Sequence, residues 1–353
     1  MESGQYKKGV TMNYDSIYDA IESDIINSQC SEDDKNKMLQ SVMRLKEQKI
    51  NIMITGATGC GKSSTINALF NIGKAKVEEI AKVGVGVAPE TMDIAKYELD
   101  NLILWDTPGL GDGKDADEKH AKNIIKKLCK LDSNGKALID LVIVILDGST
   151  RDLGTSYELI NRVIIPNLGD DKESRILVAI NQADVAMKGR NWDYAKNEPQ
   201  PILKEFLDKK VCSIKERIQE TTGVQVEPIY YCAGFKQEGG EQARPYNLSK
   251  LLYYIVKATP SEKRIVYVDN INRDPQMWRD DDRYQEYGNE CRNQFAMSIA
   301  RVTGCVGSTV AGWKAGAGIG ASIGSCFGPV GGAVGGFIGG CVGAVGGFLS
   351  SLF

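Results

Sequence analysis

Short apolar runs alternate with helical patterns between residues 50 and about 258 of the 353-residue chain. Alternation of this kind predicts an α/β domain, in which a mostly parallel sheet has helices on both faces. The second and third runs are separated by only about two residues. We expect this pair to form an antiparallel hairpin, because a parallel crossover needs a dozen or more residues. The predicted sheet has six strands, at residues 50–55, 93–99, 102–106, 140–147, 175–181 and 227–232.

Charge and cysteine usage restrict the class of protein. The formal net charge of -3 argues against a dedicated nucleic-acid-binding protein, which is usually basic. The N-terminus lacks an apolar core of the length that a secretory signal needs. The nine cysteines form no C-x-x-C pair and have no histidine at metal-ligand spacing, so we expect reduced thiols and a cytoplasmic location. We expect His120, the single histidine, at the surface near a helix start.

The stretch GATGCGKSS, residues 56–64, directly follows the first apolar run and precedes a helical pattern. It fits G-x-x-x-x-G-K-[ST], in which glycines let backbone amides surround phosphate oxygens at the start of a helix. The lysine neutralises the outer phosphates, and the serine hydroxyl completes the coordination of Mg²⁺. The sequence therefore predicts a nucleotide site. Its candidate residues here are Gly56, Thr58, Gly59, Cys60, Gly61, Lys62, Ser63 and Ser64.

Two further motifs follow later strands in the order that a nucleotide site requires. In WDTPGLGDG, Asp106 ends the third predicted strand, where a carboxylate can reach Mg²⁺ through water, and the Gly109 amide can sense a γ-phosphate. In NQAD, the Asp184 carboxylate can accept two hydrogen bonds from the donor edge of guanine, which adenine does not offer. Asn181 is expected to tie this loop to the phosphate loop. Together the motifs predict GTP rather than ATP.

The motifs GATGCGKSS, DTPGL, NQAD and a terminal CAG resemble those of the Era-like GTPases of the translation-factor-related class, over residues 50 to about 258. The resemblance implies a Ras-like P-loop GTPase domain that uses GTP, GDP and Mg²⁺. It places Thr91 in the first switch and the Ala233 amide against guanine. Implied metal-binding residues are Ser63, Thr91 and Asp106, and implied catalytic residues are Lys62, Thr91 and Gly109. Segments 83–91 and 107–115 would relax after hydrolysis.

Three positions depart from the pattern of this class. Gln182 replaces the usual lysine of N-K-x-D, although its aliphatic stem can still lie along the base. Leu110 stands where Ras-like members carry a catalytic glutamine, and Gly59 stands where many Era-type loops carry a potassium-binding asparagine. We therefore expect slow intrinsic hydrolysis, on the order of 10⁻³ s⁻¹ as for unassisted Ras, rising on self-association or with a partner.

The flanking segments differ in character from the predicted GTPase domain at 50–258. Residues 1–49 are expected to form a helical extension, and 259–302 a polar helical linker with an acid-rich run at 279–290. Residues 303–353 form a glycine-rich apolar tail without charge beyond Lys314. Many of its glycines lie four apart, as in a glycine zipper, so a lone helix in water would lose more than about 10 kcal/mol relative to alanine.

Three settings for the tail stay open. A bilayer suits small-x-x-x-small helix faces, and the arm after Pro329 is long enough to cross a hydrocarbon core. Self-association or an intramolecular hairpin would also support it, and disorder is the third alternative. The leading function is a GTP-hydrolysing switch. The alternatives are a ribosome- or RNA-associated GTPase, which the acid-rich run opposes, a P-loop kinase, which NQAD opposes, and a nucleotide-gated pore-forming or structural effector. The protein partner stays unknown.

Overall fold

The computed structural model describes residues 16–27, 31–74, 76–77, 94–111, 113–234 and 243–302. The sequence-based expectations for Thr91, for the 83–91 segment and for the tail at 303–353 lie outside the described residues.

A seven-stranded sheet organises the described residues, in the spatial order β2-β3-β4-β1-β5-β6-β9. The central strands pair in parallel, whereas β3 is antiparallel to both β4 and β2. A separate two-stranded hairpin joins β7 and β8. The strands are β1 (Ile50–Gly56), β2 (Lys76–Val77), β3 (Ala95–Leu99), β4 (Leu102–Asp106), β5 (Leu141–Asp147), β6 (Ile176–Asn181), β7 (Trp192–Asp193), β8 (Glu198–Pro199) and β9 (Ile229–Tyr230).

Helices cover both faces of the sheet. Ile52 and Ile54 of β1 belong to one apolar cluster, and Met53 between them belongs to a second cluster on the other face. Because strand side chains alternate between faces, this division requires two helical layers. The helices are α1 (Ile17–Asn27), α2 (Glu32–Lys46), α3 (Lys62–Leu69), α4 (Lys114–Leu128), α5 (Gly154–Glu158, extended by a π-helical turn over Leu159–Ile164), α6 (Pro201–Thr222), α7 (Leu248–Ala258) and α8 (Tyr287–Val302).

The predicted fold class is confirmed. The six predicted strands correspond to β1, β3, β4, β5, β6 and β9, and the expected antiparallel hairpin is the β3–β4 pair, in which Leu99 faces Leu102. The sheet has one strand more than predicted, the edge strand β2. It comprises two residues, too short to produce a readable alternation of apolar and polar side chains.

The N-terminal helical pair packs against the residues that follow α7. Side chains of α1 and α2, including Ile21 and Val42, are fully buried in the same cluster as Tyr267 and Phe295. Oδ1 of Asp269 accepts a 2.9 Å hydrogen bond from the Ile17 amide, so α1 is capped by a residue 252 positions away. The helical extension expected at the N-terminus is therefore docked on the C-terminal part of the described chain.

The segment expected to be a polar linker contributes to the core. Ile265, Val266 and Tyr267 are at most 1 % exposed, and α8 packs against α7. Three successive aspartates at 280–282 fasten the acid-rich run to the neighbouring elements. The side-chain contacts are Asp280 with Asn197 (2.9 Å) and Arg244 (3.3 Å), Asp281 with Ser249 (2.8 Å), and Asp282 with Lys250 (2.6 Å) and Tyr287 (2.7 Å).

His120 is buried in the structure, contrary to the expected surface position. Its side chain is 5 % exposed on α4, and Nδ1 has no hydrogen-bond partner among the described residues. The surrounding sequence is polar because α4 buries only a narrow face that also carries Ile124 and Leu128.

Within the described ranges, no helix combines the length and apolar character needed to span a bilayer.

Candidate functional site

The phosphate loop, residues 56–63, lies between the end of β1 and the start of α3. Gly59 and Gly61 have φ angles of 79° and 88°, a region that favours glycine. A Cβ on Gly61 would also lie 2.2 Å from Nδ2 of Asn181, so only glycine lets the two loops approach this closely. The first turn of α3 directs its N–H groups and positive dipole end toward this loop, which makes the loop suitable for anions.

Lys62 lies across the phosphate loop. Its Nζ donates hydrogen bonds to the carbonyl oxygens of Ala57 (3.1 Å) and Gly56 (3.4 Å). An ammonium group has three donors, so these contacts leave capacity for an outer phosphate oxygen. The Lys62 ammonium group therefore lies at the phosphate loop, where the motif predicts that the phosphates bind.

Ser63 and Asp106 meet beside the loop, although they are 43 positions apart. The Ser63 hydroxyl donates a 2.8 Å hydrogen bond to Oδ2 of Asp106. The carboxylate is 1 % exposed, and its Oδ1 has no hydrogen-bond partner in the described part of the chain. Burial raises the pKa of Asp106 above its ordinary value, opposed by Ser63 and the Lys62 charge. A hydroxyl oxygen and a partnerless buried carboxylate oxygen are the donors that Mg²⁺ prefers, so these residues fit the ion.

The aspartate–glycine segment, residues 106–110, is hydrogen-bonded to the phosphate loop. The Thr58 amide donates to the Leu110 carbonyl (3.0 Å), and the Leu110 amide donates to the Gly56 carbonyl (3.3 Å). A Cβ on Gly109 would lie 2.2 Å from the Thr58 hydroxyl and 2.5 Å from its Cα. The second switch candidate therefore begins in direct contact with the phosphate loop.

Asn181 joins three parts of the site at the other end of the phosphate loop. Its Nδ2 donates to the Cys60 carbonyl (2.9 Å), and its Oδ1 accepts from the Ala233 amide (3.0 Å). Asn181 is 3 % exposed, so both bonds are buried. The hydrogen bond to the phosphate loop is the one that the sequence leads us to expect. The sequence leads us to expect that the Ala233 amide faces guanine. In the structure this amide donates to Asn181, so it could contact a base only by donating to two acceptors at once.

The remaining base-loop residues lie next to Asn181. Gln182 donates from Nε2 to the Gly59 carbonyl (2.7 Å), a second link between the loops. Asp184 is half-buried beside Cys232. The pKa of the Cys232 thiol is raised, mainly by burial and to a smaller extent by the nearby Asp184 charge. Asp184 and Ala233 therefore occupy neighbouring loops at the carboxyl ends of β6 and β9, which is the arrangement the motifs predict.

Other candidate residues contribute through the backbone or have no described contact. Cys60 is fully buried, burial raises the pKa of its thiol to about 11, and only its carbonyl joins the Asn181 link. Thr58 is exposed and Ser64 half-buried, and no side-chain contact of Ser64 is described. The binding and catalytic roles of all these residues stay predictions, including those of Thr91, which lies outside the described residues.

Three supporting contacts are not apparent from the sequence. The Thr65 hydroxyl lies 2.6 Å from the buried Tyr231 hydroxyl, which connects α3 to the strand before the CAG loop. Thr107 donates to the Thr55 hydroxyl (3.0 Å) beneath the phosphate loop. Lys210 of α6 donates to the carbonyls of Asp147, Gly148 and Thr150, at 3.2, 2.8 and 2.7 Å. No local pattern could have revealed them, because each pair is distant in sequence.

The strand order and the hydrogen-bonded motifs at the carboxyl ends of the parallel strands define an α/β domain of the P-loop GTPase fold. Residues 17–132 match the sequence model of the family described as "Interferon-inducible GTPase (IIGP)". The expectation of a P-loop GTPase domain is thereby supported. The narrower Era-like assignment stays a prediction.

Individual proteins show more limited similarity. The chain is 27 % identical over 187 residues to "Uncharacterized protein YfjP" of Escherichia coli (strain K12), covering 52 % of this chain and 57 % of that protein. It is 33 % identical over 108 residues to "Interferon-gamma-inducible GTPase 10" of Mus musculus, covering 29 % and 25 %. The matches therefore cover less than two thirds of these relatives. The Toc33 structure from Arabidopsis thaliana has 17 % identity, a TM-score of 0.41 and coverage of 69 % and 97 %.

Proposed function

We propose that the domain at residues 50–258 binds GTP with Mg²⁺ and hydrolyses it to GDP and phosphate. The observation that carries the proposal is the contact of Ser63 with the buried Asp106 carboxylate, one oxygen of which has no partner among the described residues. A magnesium ion held there would neutralise charge on the phosphates. The match of residues 17–132 to a GTPase family supports the same conclusion.

The chain's own groups would bind and orient the triphosphate. Amides of the phosphate loop and the Lys62 ammonium would stabilise charge on the transferring group, which is the main requirement of phosphoryl transfer. The Gly109 backbone lies against Thr58 of the phosphate loop, which supports the proposed contact of its amide with the γ-phosphate. Thr91 is proposed as the further Mg²⁺ ligand that the resemblance implies.

We expect the intrinsic rate to be low because Leu110 offers no group that orients water. Its side chain is 6 % exposed and belongs to the apolar cluster that includes Ile124 and Val144. An intrinsic rate on the order of 10⁻³ s⁻¹, as for unassisted Ras, is therefore expected. Hydrolysis faster than about 1 s⁻¹ by the purified chain alone in single-turnover conditions would contradict this part of the proposal.

Guanine selectivity is assigned to Asp184 and tested by an exchange of base specificity. The variant Asp184→Asn replaces an acceptor-only group by an amide that can donate to the 2-oxo group of xanthine. We expect GTP affinity to fall at least ~100-fold and XTP affinity to rise by a similar factor, while ATP binds neither form. Isothermal titration of both variants with the three nucleotides measures this.

The matched control for this test is Asp193→Asn, which changes an aspartate of the β7–β8 hairpin outside the three motifs. It should keep the GTP preference of the wild type. Preference for ATP by the wild-type chain would overturn the assignment, as would unchanged GTP selectivity in Asp184→Asn.

We further propose that the tail at 303–353 places the switch at a membrane or in a self-assembly, with the domain in the cytoplasm. The proposal rests on the uncharged, glycine-spaced sequence beyond Lys314. Flotation of the full chain and of a chain lacking 303–353 with phosphatidylcholine vesicles distinguishes the settings. Loss of flotation on deletion supports the membrane, whereas loss of oligomers in sedimentation without any flotation supports self-assembly.

A further inference from the structure

A cavity at the start of α8 lies apart from the nucleotide site. Its volume is about 600 Å³, within the range of small-molecule sites, and the buried Trp278 is among the residues that line it. Polar side chains line most of its wall. Those used below are Arg279, Arg283, Arg292, Gln276, Gln285 and Asn289.

Three guanidinium groups line this one cavity without a described counter-ion. Arg279, Arg283 and Arg292 form no ion pair and no side-chain hydrogen bond among the described residues. The Nε atom of Arg292 is buried and has no partner within the described ranges. A buried donor without an acceptor costs about 1–3 kcal/mol, so an anion that accepts from it gains an advantage over water at an open surface.

The two carboxylates at the cavity offset part of the charge of the three arginines but form no ion pair with them among the described residues. Asp281 accepts from the Ser249 hydroxyl through Oδ2 (2.8 Å) and from the Arg283 amide through Oδ1 (2.8 Å), so both of its oxygens are engaged. Glu286 is exposed at the rim, and no ion pair of its side chain is described. Three guanidinium groups against two carboxylates leave the residues that line the cavity with a formal charge of +1.

Backbone donors add to the guanidinium groups. The cavity is lined by Gly288 and Asn289, which lie in the first turn of the 16-residue helix α8. First-turn amides have no intrahelical acceptor, and the helix dipole favours an anion at this end. Arg283 adopts a φ of 54°, which is strained for a non-glycine residue, and the bond from its amide to Asp281 holds it there.

We propose that this cavity binds a phosphate monoester carried on a small hydroxylated body. Arginines with a planar fork of donors match phosphate oxygens, and helix amides complete the anion site. The amide side chains of Gln276, Gln285 and Asn289 suit hydroxyl groups of the ligand body. A sugar phosphate and a lipid headgroup share this chemistry, and the experiment separates them.

The test uses the full chain saturated with GDP and Mg²⁺, so that the phosphate loop is filled. Glucose 6-phosphate is titrated while the tryptophan fluorescence is followed, because Trp278 lies in the cavity wall. Glucose is the uncharged control, and phosphatidylcholine vesicles with and without phosphatidic acid form the lipid arm. A fluorescence change with glucose 6-phosphate assigns a soluble ligand. Co-sedimentation only with phosphatidic acid assigns a lipid headgroup.

Two variants decide whether the arginines form the site. Arg279→Gln changes an exposed side chain, so it should fold, and Arg292→Gln removes the buried donor. Each should weaken binding at least tenfold, whereas Arg162→Gln, on the exposed surface of the π-helical turn, should leave it unchanged. Trp278→Phe should abolish the fluorescence change while calorimetric binding persists.

Equal binding by wild type and Arg279→Gln overturns the proposal, as does failure of both phosphate arms with wild type. Neither result depends on GTP hydrolysis, because the comparison is between variants in the same nucleotide condition. GDP affinity of Arg279→Gln should equal that of the wild type. If the chain binds no guanine nucleotide, the Arg279 and Arg292 dependence of phosphate binding still stands as a separate result.

Discussion

The Ser63 hydroxyl donates a 2.8 Å hydrogen bond to Oδ2 of Asp106, and Oδ1 of the same carboxylate has no partner among the described residues. The two residues come from different motifs, one at the start of α3 and one at the end of β4. Parallel pairing of β1 with β4, in which Ile54 faces Asp106, brings them together. The relationship is the structural basis of the proposed Mg²⁺ site.

Asp106→Asn should make the nucleotide affinity of the chain less dependent on Mg²⁺. Asparagine keeps the shape of the side chain but removes the negative charge that attracts the ion. We expect the gain in GDP affinity on adding Mg²⁺ to fall at least ~10-fold, and hydrolysis at least ~100-fold. Fluorescent GDP titrations with Mg²⁺ and with EDTA measure the effect.

The same variant should not lose stability. Burial raises the pKa of Asp106, which means that the folded state disfavours the charged carboxylate. The neutral amide of the variant should therefore leave the Tm unchanged or raise it. Asp33→Asn, an exposed carboxylate on α2, is the matched control and should behave as wild type. A Mg²⁺ response equal to that of the wild type would contradict the assignment.

Gly109→Ala should impair hydrolysis through a steric conflict. The added Cβ would lie 2.5 Å from Cα and 2.6 Å from N of Thr58, and backbone atoms cannot move aside cheaply. We expect the 106–110 segment to shift away from the phosphate loop and the hydrolysis rate to fall at least ~10-fold. Single-turnover hydrolysis of radiolabelled GTP measures the change.

Gly73→Ala is the control for this prediction. The nearest atom to its added Cβ is 3.9 Å away, so the substitution fits without displacement. It should hydrolyse GTP as the wild type does. Equal rates in Gly109→Ala and Gly73→Ala would show that the close approach of Gly109 to Thr58 does not matter for the reaction.

Asn181→Ala should cost more than Gln182→Ala, although the two residues are adjacent. Asn181 makes two buried hydrogen bonds, to Cys60 and Ala233, and its removal leaves a buried amide and carbonyl unpaired. Such losses cost about 1–3 kcal/mol each, whereas the exposed Gln182 bond to Gly59 is worth about 0.5–1.5 kcal/mol.

Chemical denaturation and GDP titration of both variants measure the difference. We expect Asn181→Ala to lower both the free energy of unfolding and the GDP affinity, the latter at least ~10-fold. Gln182→Ala should change each by less. The reverse order would mean that the exposed bond, and not the buried pair, holds the phosphate and base loops together.

Asp269 should make the stability of the chain depend on pH. Burial raises its pKa from 3.8 to about 6, opposed by the bond from the Ile17 amide. The folded state therefore binds its proton more tightly than the unfolded chain does. The free energy of unfolding should fall as the pH rises from about 4 to about 6, and this loss of stability should be complete above about pH 6.

Asp269→Asn removes this cost and keeps an oxygen that can cap α1. We expect it to stabilise the chain at pH 7.5 by about 1–3 kcal/mol and to have little effect near pH 4. Thermal denaturation of both forms across this range measures the difference. A stabilisation that does not shrink as the pH falls would exclude the buried charge as its cause.

Part of the fold was accessible from the sequence because its signals are local. The runs at 50–55 and 140–147 are continuous apolar strands, and the phosphate-loop pattern directly follows the first. The two-residue edge strand β2 carries no such signal. The segment at 259–302 is more buried than its polar sequence indicates for a related reason. Its charged side chains find partners that are distant in the chain, such as Asn197 for Asp280.

The candidate site, like the fold, is only partly predictable from local sequence. The residue types and their order predict phosphate, metal and base positions, because each motif needs only a strand end and a few following residues. The link from Asn181 to Cys60 spans 121 positions, and the engagement of the Ala233 amide by Asn181 could not be read from either motif. The burial of His120 likewise depends on the helices and strands packed around α4.

The amino-acid sequence by itself determined the α/β alternation and the β3–β4 hairpin, and it predicts the chemistry of the three motifs, since these follow from periodicity and short spacing. Only the tertiary structure decided which groups meet, including Ser63 with Asp106, Asp269 with the start of α1, and three arginines around one cavity. The physical reason is that burial, desolvation and hydrogen bonding depend on distances in space between residues that the chain order keeps far apart.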